Sequence, residues 1–490
     1  MIKISTEFKT DNKKLDALYT KAVEILFSSV KQFGNYKVVT SGAESDAITL
    51  NEAILCAETL ARFDPLTAMN TVKAFFHCAK EDGRLPSAIV KRGEGIYADY
   101  SGFSHFSFVE EAISIFYMEK KKEVEYLDTV YEMLKKFDRY VFLERGLNKN
   151  GFVELLSPEE NVEGEGALRY APINVGVDDE IRMVSPYPIE SAVLTGFLYR
   201  LKRTLTELSM IRGDGEALKY RGEALLILEQ IKNKFFIPVR SASYDRNSRG
   251  GIIDALTLDA LVLMYYGALD EAMAGKFVNE HLLDTKEFYT PLPLPTVAVN
   301  DRAFSSSTEY KYDGQVRAIN YRRAIRALKN YGYQRELAEI SQKFLNAVAL
   351  DMKFSEQYDP FTMEATGEIK DGYAPTASAV IEMICDLYGV SVERDRIKWG
   401  AYGYRDTSSS EFLCERGGDT YRVLAERETT SAYLNGAHLF TVTNGTRVDT
   451  DSFGMTPRVT NITDEPLDVV FVYRNHTYST RLEPSETAQF

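Results

Sequence analysis

Apolar residues recur at helical spacing in twelve segments of this chain, approximately 14–33, 46–62, 66–80, 106–119, 122–143, 186–212, 215–235, 256–266, 269–283, 314–331, 334–354 and 376–388. Short breaks such as Phe63-Asp64-Pro65, Arg212-Gly213-Asp214-Gly215 and Asn330-Tyr331-Gly332-Tyr333 join neighbours as hairpin turns. Six helical hairpins bury their apolar faces either as an open solenoid or as a closed ring. A solenoid requires a near-constant period and a repeated consensus. The intervals here are irregular, with long polar loops at 81–105, 144–185, 236–255 and 284–313. Long loops on a compact scaffold usually carry function. The pattern predicts a mainly α fold, an (α/α)6 toroid whose inner helices line a pocket and whose loops form its rim.

After about residue 390 the texture changes. Thr420-Tyr421-Arg422-Val423-Leu424, His438-Leu439-Phe440-Thr441-Val442 and Val469-Val470-Phe471-Val472-Tyr473 are β-rich runs between turn residues, and Asn444-Gly445 is a hairpin signal. Two domains are therefore expected: 1–392 as an (α/α)6 barrel of catalytic type, and 393–490 as a small antiparallel β-sandwich. The expected role of the sandwich is to pack against the barrel or to assist assembly, with direct sugar binding as the alternative.

Charge narrows the partners. The chain carries a net charge of -14, which repels phosphate backbones and anionic lipid, so nucleic acid and membrane surfaces are poor partners. The first ten residues hold no apolar stretch of signal-peptide length, and no apolar run is long enough to cross a bilayer, which makes the cytoplasm the default compartment. Cys56, Cys78, Cys385 and Cys414 are widely spaced, without a CxxC pair, and read as free thiols. None of the five histidines stands at metal-ligand spacing, and no phosphate-cradling or dinucleotide fingerprint is present, so no cofactor is expected.

The polar loops are rich in carboxylates and tyrosines, the residue types that glycoside hydrolysis needs. One carboxylic acid protonates the leaving oxygen, and one carboxylate activates water or attacks carbon. The best-defined candidate is Glu356, in the stretch Phe354 to Gly367 that Pro360 and Gly367 break into a loop between the last two helical runs. A carboxylate there, followed by Tyr358 and a Pro-Phe-Thr turn, suits a general base at the mouth of a helical barrel. The plainer alternatives are a solvated loop carboxylate for Glu356, a core aromatic for Tyr358 and a turn former for Asp359.

Several diverged motifs then fall in one order. Asn51-Glu52-Ala53-Ile54-Leu55 leads to Asp64-Pro65, and Lys80 to Pro86 forms a Gly-Arg-Leu-Pro turn. Asn148-Lys149-Asn150-Gly151-Phe152 precedes an acidic loop, and Pro188-Ile189-Glu190-Ser191-Ala192 opens a helix. Tyr312-Asp313-Gly314-Gln315-Val316-Arg317 precedes another, and Glu356-Gln357-Tyr358-Asp359-Pro360 ends at Thr366-Gly367. In these residues and this order the chain resembles the six-hairpin glycosidases, especially the group of trehalases, mannosyl-oligosaccharide glucosidases and related bacterial α-glycosidases. The resemblance spans most of residues 40–390. It implies an inverting hydrolase of a small α-linked glycoside or oligosaccharide, with Glu356 as base and Glu52, Arg169, Tyr170, Glu190, Tyr312, Asp313, Gly314, Arg317 and Tyr358 in the substrate pocket.

The acid is less well defined. Laying Glu163-Gly164-Glu165-Gly166-Ala167-Leu168-Arg169-Tyr170 on the family's Asp-x-Ser-x-Arg-Trp element puts Glu165 at the acid, and Asp178 and Asp179 are its rivals nearer to Pro188. The chain departs from the family in its pocket tryptophans: the only Trp is Trp399, and Tyr312, Arg317 and Pro375 stand where Trp is expected. Asp313 replaces an arginine, which reverses a charge and favours a sugar presenting an amino group or a donor. Two other classes stay open: a non-catalytic, carbohydrate-binding descendant, and another α/α-barrel sugar enzyme (a lyase, an epimerase or an unsaturated-uronide hydrolase).

Overall fold

The computed structural model describes residues 6–93, 95–103, 109–118, 124–145, 153–157, 160, 168–177, 180–308, 313–393, 396–403 and 408–490. Its α-helices are α1 (Lys13–Ser28), α2 (Leu50–Leu60), α3 (Pro65–His77), α4 (Val109–Met118), α5 (Val124–Glu144), α6 (Ala192–Arg212), α7 (Ala217–Gln230), α8 (Asp259–Tyr265), α9 (Glu271–Phe277), α10 (Ala318–Asn330), α11 (Gln334–Asp351) and α12 (Ala374–Tyr388). Each falls on one of the twelve segments expected from periodicity. The longer runs expected at 215–235 and 269–283 are completed by π-helical turns, Ile231–Phe235 after α7 and Val278–Leu282 after α9. The run expected at 14–33 is shorter: α1 ends at Ser28, and Val30–Phe33 pairs as a strand with Tyr36–Val39 around Gly34, whose φ is +54°.

The even-numbered helices pack in succession, α2 on α4, α4 on α6, α6 on α8, α8 on α10, α10 on α12, and α12 returns to α2. Composition explains their position. The α12 sequence APTASAVIEMICDLY is apolar or small almost all round, and every one of its residues is buried. By contrast α7 buries only Tyr220, Ala224 and Ile227, the single stripe of a helix with one wet face. The odd-numbered helices lie against the ring, α3 on α2, α5 and α7 on α6, α11 on α10, and α1 on α12.

Extended segments lead into the N-terminal ends of several ring helices. Ala47–Thr49 precedes α2 and pairs with Ala88–Arg92. Ile189–Glu190 precedes α6 and pairs with Glu154–Leu155. Val316–Arg317 precedes α10 and pairs with Gln357–Tyr358, the loop before α12. The loops that carry the candidate residues are thus tied together at one end of the helices.

Beyond α12 the chain forms two antiparallel sheets. One holds seven strands, and its edge is the N-terminal strand Thr6–Thr10, paired with Ser410–Arg416. The other holds five, from Val390–Val392 to Thr487–Gln489. Trp399 of the five-stranded sheet is buried against Tyr421 and Phe440 of the seven-stranded one, with ring centroids 6.0 and 5.8 Å away. The hairpin expected at Asn444-Gly445 is not formed: the strands on either side, Ala437–Thr443 and Thr446–Asp451, belong to different sheets. The Gly445 N–H instead donates to the Ala401 and Tyr402 carbonyls, and Asn444 accepts from Thr430 Oγ1 at 2.6 Å, so the pair makes a corner between sheets. All four cysteines are free thiols. No described helix is long and apolar enough to cross a membrane.

Candidate active site

Glu356 begins the loop between α11 and α12. Its N–H donates to the Ile369 carbonyl at 2.9 Å and its carbonyl accepts from the Ala318 N–H at 3.3 Å. The backbone is therefore fixed from both sides and the side chain stays partly exposed. Gly367 makes this fit sterically: a Cβ there would lie 2.9 Å from the Glu356 Cβ and 3.0 Å from the Gln357 nitrogen. Asp359 is a turn former, its Oδ1 accepting from the Phe361 and Thr362 N–H groups at 2.8 Å each. Tyr358 is 1% exposed, packs on Phe344, and its hydroxyl donates to the Lys353 carbonyl at 2.8 Å while accepting from the Ser355 N–H at 2.9 Å. Its hydroxyl is thus occupied by the loop's own backbone.

Arg317 stands opposite Gln357 in the short strand pair, so its backbone is adjacent to Glu356. On the other side, Glu52 in the first turn of α2 accepts from Thr49 Oγ1 at 3.1 Å and from the Tyr373 hydroxyl in a short hydrogen bond. Burial raises the Tyr373 pKa well above its ordinary value, the charges of Glu52 and Glu356 add to this, and Arg317 opposes it. Tyr373 therefore remains a neutral donor, and its surroundings gather Glu52, Arg317 and Glu356 into one electrostatic cluster.

A second cluster holds the end of the 144–185 loop. The Leu168 N–H donates to Asp313 Oδ2 at 3.0 Å. Arg169 Nη1 donates to Asp259 Oδ1 at 3.0 Å, and its Nη2 reaches both Asp245 at 3.0 Å and Asp259. The Tyr170 hydroxyl donates to Asp245 Oδ2 at 2.7 Å, and Asp245 Oδ1 accepts from the Ala192 N–H, the first residue of α6, at 2.7 Å. Burial alone would lower the Arg169 pKa, but Asp259, Tyr170 and Asp245 raise it well above its ordinary value, which keeps the guanidinium charged.

Asp313 is fully buried, so the carboxylate read as a charge at the rim is a backbone acceptor for Leu168. Gly314 lies against Phe304 and Ser305, where a Cβ would sit 2.5 Å from the Ser305 carbonyl oxygen. Glu190 is buried, ion-paired with Lys234 Nζ at 2.6 Å, and stands in register with the buried Glu154. Glu165, Asp178, Asp179 and Tyr312 lie outside the described residues.

Residues 49–374 match the mannosylglycerate hydrolase MGH1-like glycoside hydrolase domain, about two thirds of the chain. The chain belongs to this family. It is a glycoside hydrolase, as the ordered motifs led us to expect. The match runs from the residue before α2 to the first residue of α12, so it covers both clusters described above. The GH63 mannosylglycerate hydrolase of Thermus thermophilus, solved in complex with glucose, superposes with a TM-score of 0.62 at 16% identity, over 75% of this chain and 99% of that one. The neutral trehalase of Saccharomyces cerevisiae gives 0.56 at 12% identity, over 74% and 79%. A sialidase structure gives 0.70 at 13% identity over 92% of this chain, though only 42% of its own length. At these identities the likeness concerns the fold.

Sequence reasoning missed Asp245 and Asp259 in this family's site region. Asp259 opens α8 and Asp245 lies in the loop before it, positions where an aspartate is expected for capping alone. Their attachment to Arg169 joins segments 76 and 90 residues apart, which no local pattern signals.

Proposed function

We propose that this family member is an inverting hydrolase of small α-linked glycosides, with an (α/α)6 toroid over 1–392 and a β-sandwich over 393–490 to which strand Thr6–Thr10 is added. The observation that carries the assignment is the convergence of Glu52, Arg317, Tyr373 and Glu356 at the N-terminal ends of α2, α10 and α12. Partial exposure leaves the Glu356 carboxylate able to take a proton from water, while its backbone is fixed. Arg317 and Glu356 both act electrostatically on Tyr373, so a cation lies in the neighbourhood of the proposed base.

Glu165 is our choice for the acid. It lies three residues before Leu168, and Leu168, Arg169 and Tyr170 are fastened by Asp313, Asp259 and Asp245. Asp313 is in turn four residues from Arg317, so this anchored segment reaches the Glu356 neighbourhood. Inversion calls for carboxyl groups roughly 6.5–9.5 Å apart, with water between the base and the anomeric carbon. Glu52, with its acceptor oxygens oriented by Thr49 and Tyr373, is placed to accept sugar hydroxyls.

The Thermus relative has been solved with glucose and, separately, with Tris and D-glycerate, so α-hexosides of glycerate are the first substrates to try. Proton NMR of the first-formed sugar tests the stereochemistry. An α-mannoside should release β-mannose before mutarotation, and release of α-mannose would overturn inversion.

A further inference from the structure

A cavity of about 690 Å³ lies at the other end of the same helices, between their C-terminal halves and the β-sheets. Glu58 of α2, Arg326 and Lys329 of α10, and Glu382 of α12 line it, together with Arg416 and Tyr421 from the seven-stranded sheet. Its size is that of a small-molecule site, yet its wall is strongly charged. Seven Lys or Arg side chains face six Asp or Glu side chains.

Nearly all these charges are matched. Arg62 forks onto Glu382 at 2.8 and 2.7 Å, Arg326 reaches Glu58 at 2.8 Å, Lys329 reaches Asp386 at 2.9 Å, and Lys398 reaches Glu393 at 2.8 Å. Among the cations Arg416 is the exception, and Asp419, opposite it in the strand pair, accepts only from Asn435 Nδ2 at 2.9 Å among the described residues. Among the described residues the Arg416 guanidinium makes no hydrogen bond or ion pair. Among the described residues the hydroxyl of Tyr421, on the same wall, makes no hydrogen bond either. Burial and the neighbouring charge of Arg62 lower the Arg416 pKa to about 10, which leaves it cationic at neutral pH. Arg416 is only partly buried where it lines the cavity, so its guanidinium donors are open to an anion entering there. Its fork of donors matches the oxygens of a phosphate, and a tyrosine hydroxyl can add a further donor.

We propose that this cavity is a second, non-catalytic site that binds a small phosphate-bearing ligand, with Arg416 as the cationic anchor for its phosphate and Tyr421 beside it. The polar walls around the anchor suit a hydroxylated body attached to that phosphate. The proposal is independent of the chemistry at Glu356, because the two sites occupy opposite ends of α2, α10 and α12.

The test is isothermal titration of the full-length protein with inorganic phosphate and with glucose 6-phosphate, alongside thermal unfolding, for wild type, Arg416→Gln and Arg416→Lys. Wild type should bind at least one of the two saturably. Arg416→Gln should weaken that binding by about tenfold or more, and Arg416→Lys by less. Tighter binding of glucose 6-phosphate supports an organic phosphate, and equal binding supports the free ion. Without ligand, the Tm of Arg416→Gln should equal or exceed that of wild type, since the change removes an unmatched charge. No saturable binding of either probe, unchanged affinity in Arg416→Gln, or a loss of several degrees in its ligand-free Tm would each overturn the proposal.

Discussion

Arg317 stands directly opposite Gln357 in the strand pair that joins the start of α10 to the loop before α12, and Arg317 and Glu356 both act on the charge of Tyr373. The charge at residue 317 should therefore matter more than its bulk. Arg317→Met, of similar length, should lower kcat/KM by about 10²-fold and move the acidic limb of the pH–rate profile to higher pH. An unshifted profile would show that Arg317 does not act on the base.

Gly367 has a steric role that alanine cannot fill. The added methyl would meet Glu356 Cβ at 2.9 Å and the Gln357 nitrogen at 3.0 Å, both on a fixed backbone. Gly367→Ala should cost about 1–3 kcal/mol of stability and displace the base, lowering kcat by about 10²-fold. Steady-state kinetics and chemical unfolding measure the two effects on the same preparation.

Arg169→Lys should be poorly tolerated although it keeps the charge. A lysine cannot reach Asp245 and Asp259 in the forked geometry that arginine uses. A loss of about 2–4 kcal/mol in unfolding free energy is expected, together with increased proteolytic nicking close to residue 168. Wild-type stability would show that the aspartate pair tolerates a point charge.

The buried Glu382 predicts an acid transition. Burial alone would raise its pKa, but Arg62 and Arg322 pull it from the ordinary 4.5 to about 2. Its folded pKa is thus below its unfolded one, so its contribution is fully present above about pH 4.5 and is lost as the pH falls toward 2. Tm should decline across that window in wild type. In Glu382→Gln the decline should be shallower, from a lower starting Tm at pH 7, because Arg62 loses its forked partner.

Much of the helical region was legible because its signals are local. The α12 segment is apolar enough to predict a buried ring helix, and Pro360 with Gly367 marks the Glu356 loop in any context. What escaped depends on contacts between distant segments. Asp313 looked like a charge facing substrate, yet it is buried and receives the Leu168 N–H from 145 residues away. Asn444-Gly445 has the composition of a hairpin, but Gly445 bonds back to Ala401 and Tyr402, which sends the chain to the second sheet. Tyr358 belongs to the loop motif, and only its packing on Phe344 shows that it supports the loop from within.

The most direct test of Glu356 as the base is kcat for Glu356→Gln on an α-mannoside or α-glucoside that the wild type hydrolyses, with folding verified by an unchanged Tm. The substitution preserves shape and removes only the ability to accept a proton, so kcat should fall by about 10²–10⁴-fold. A folded Glu356→Gln enzyme with kcat within about twofold of wild type would contradict the assignment.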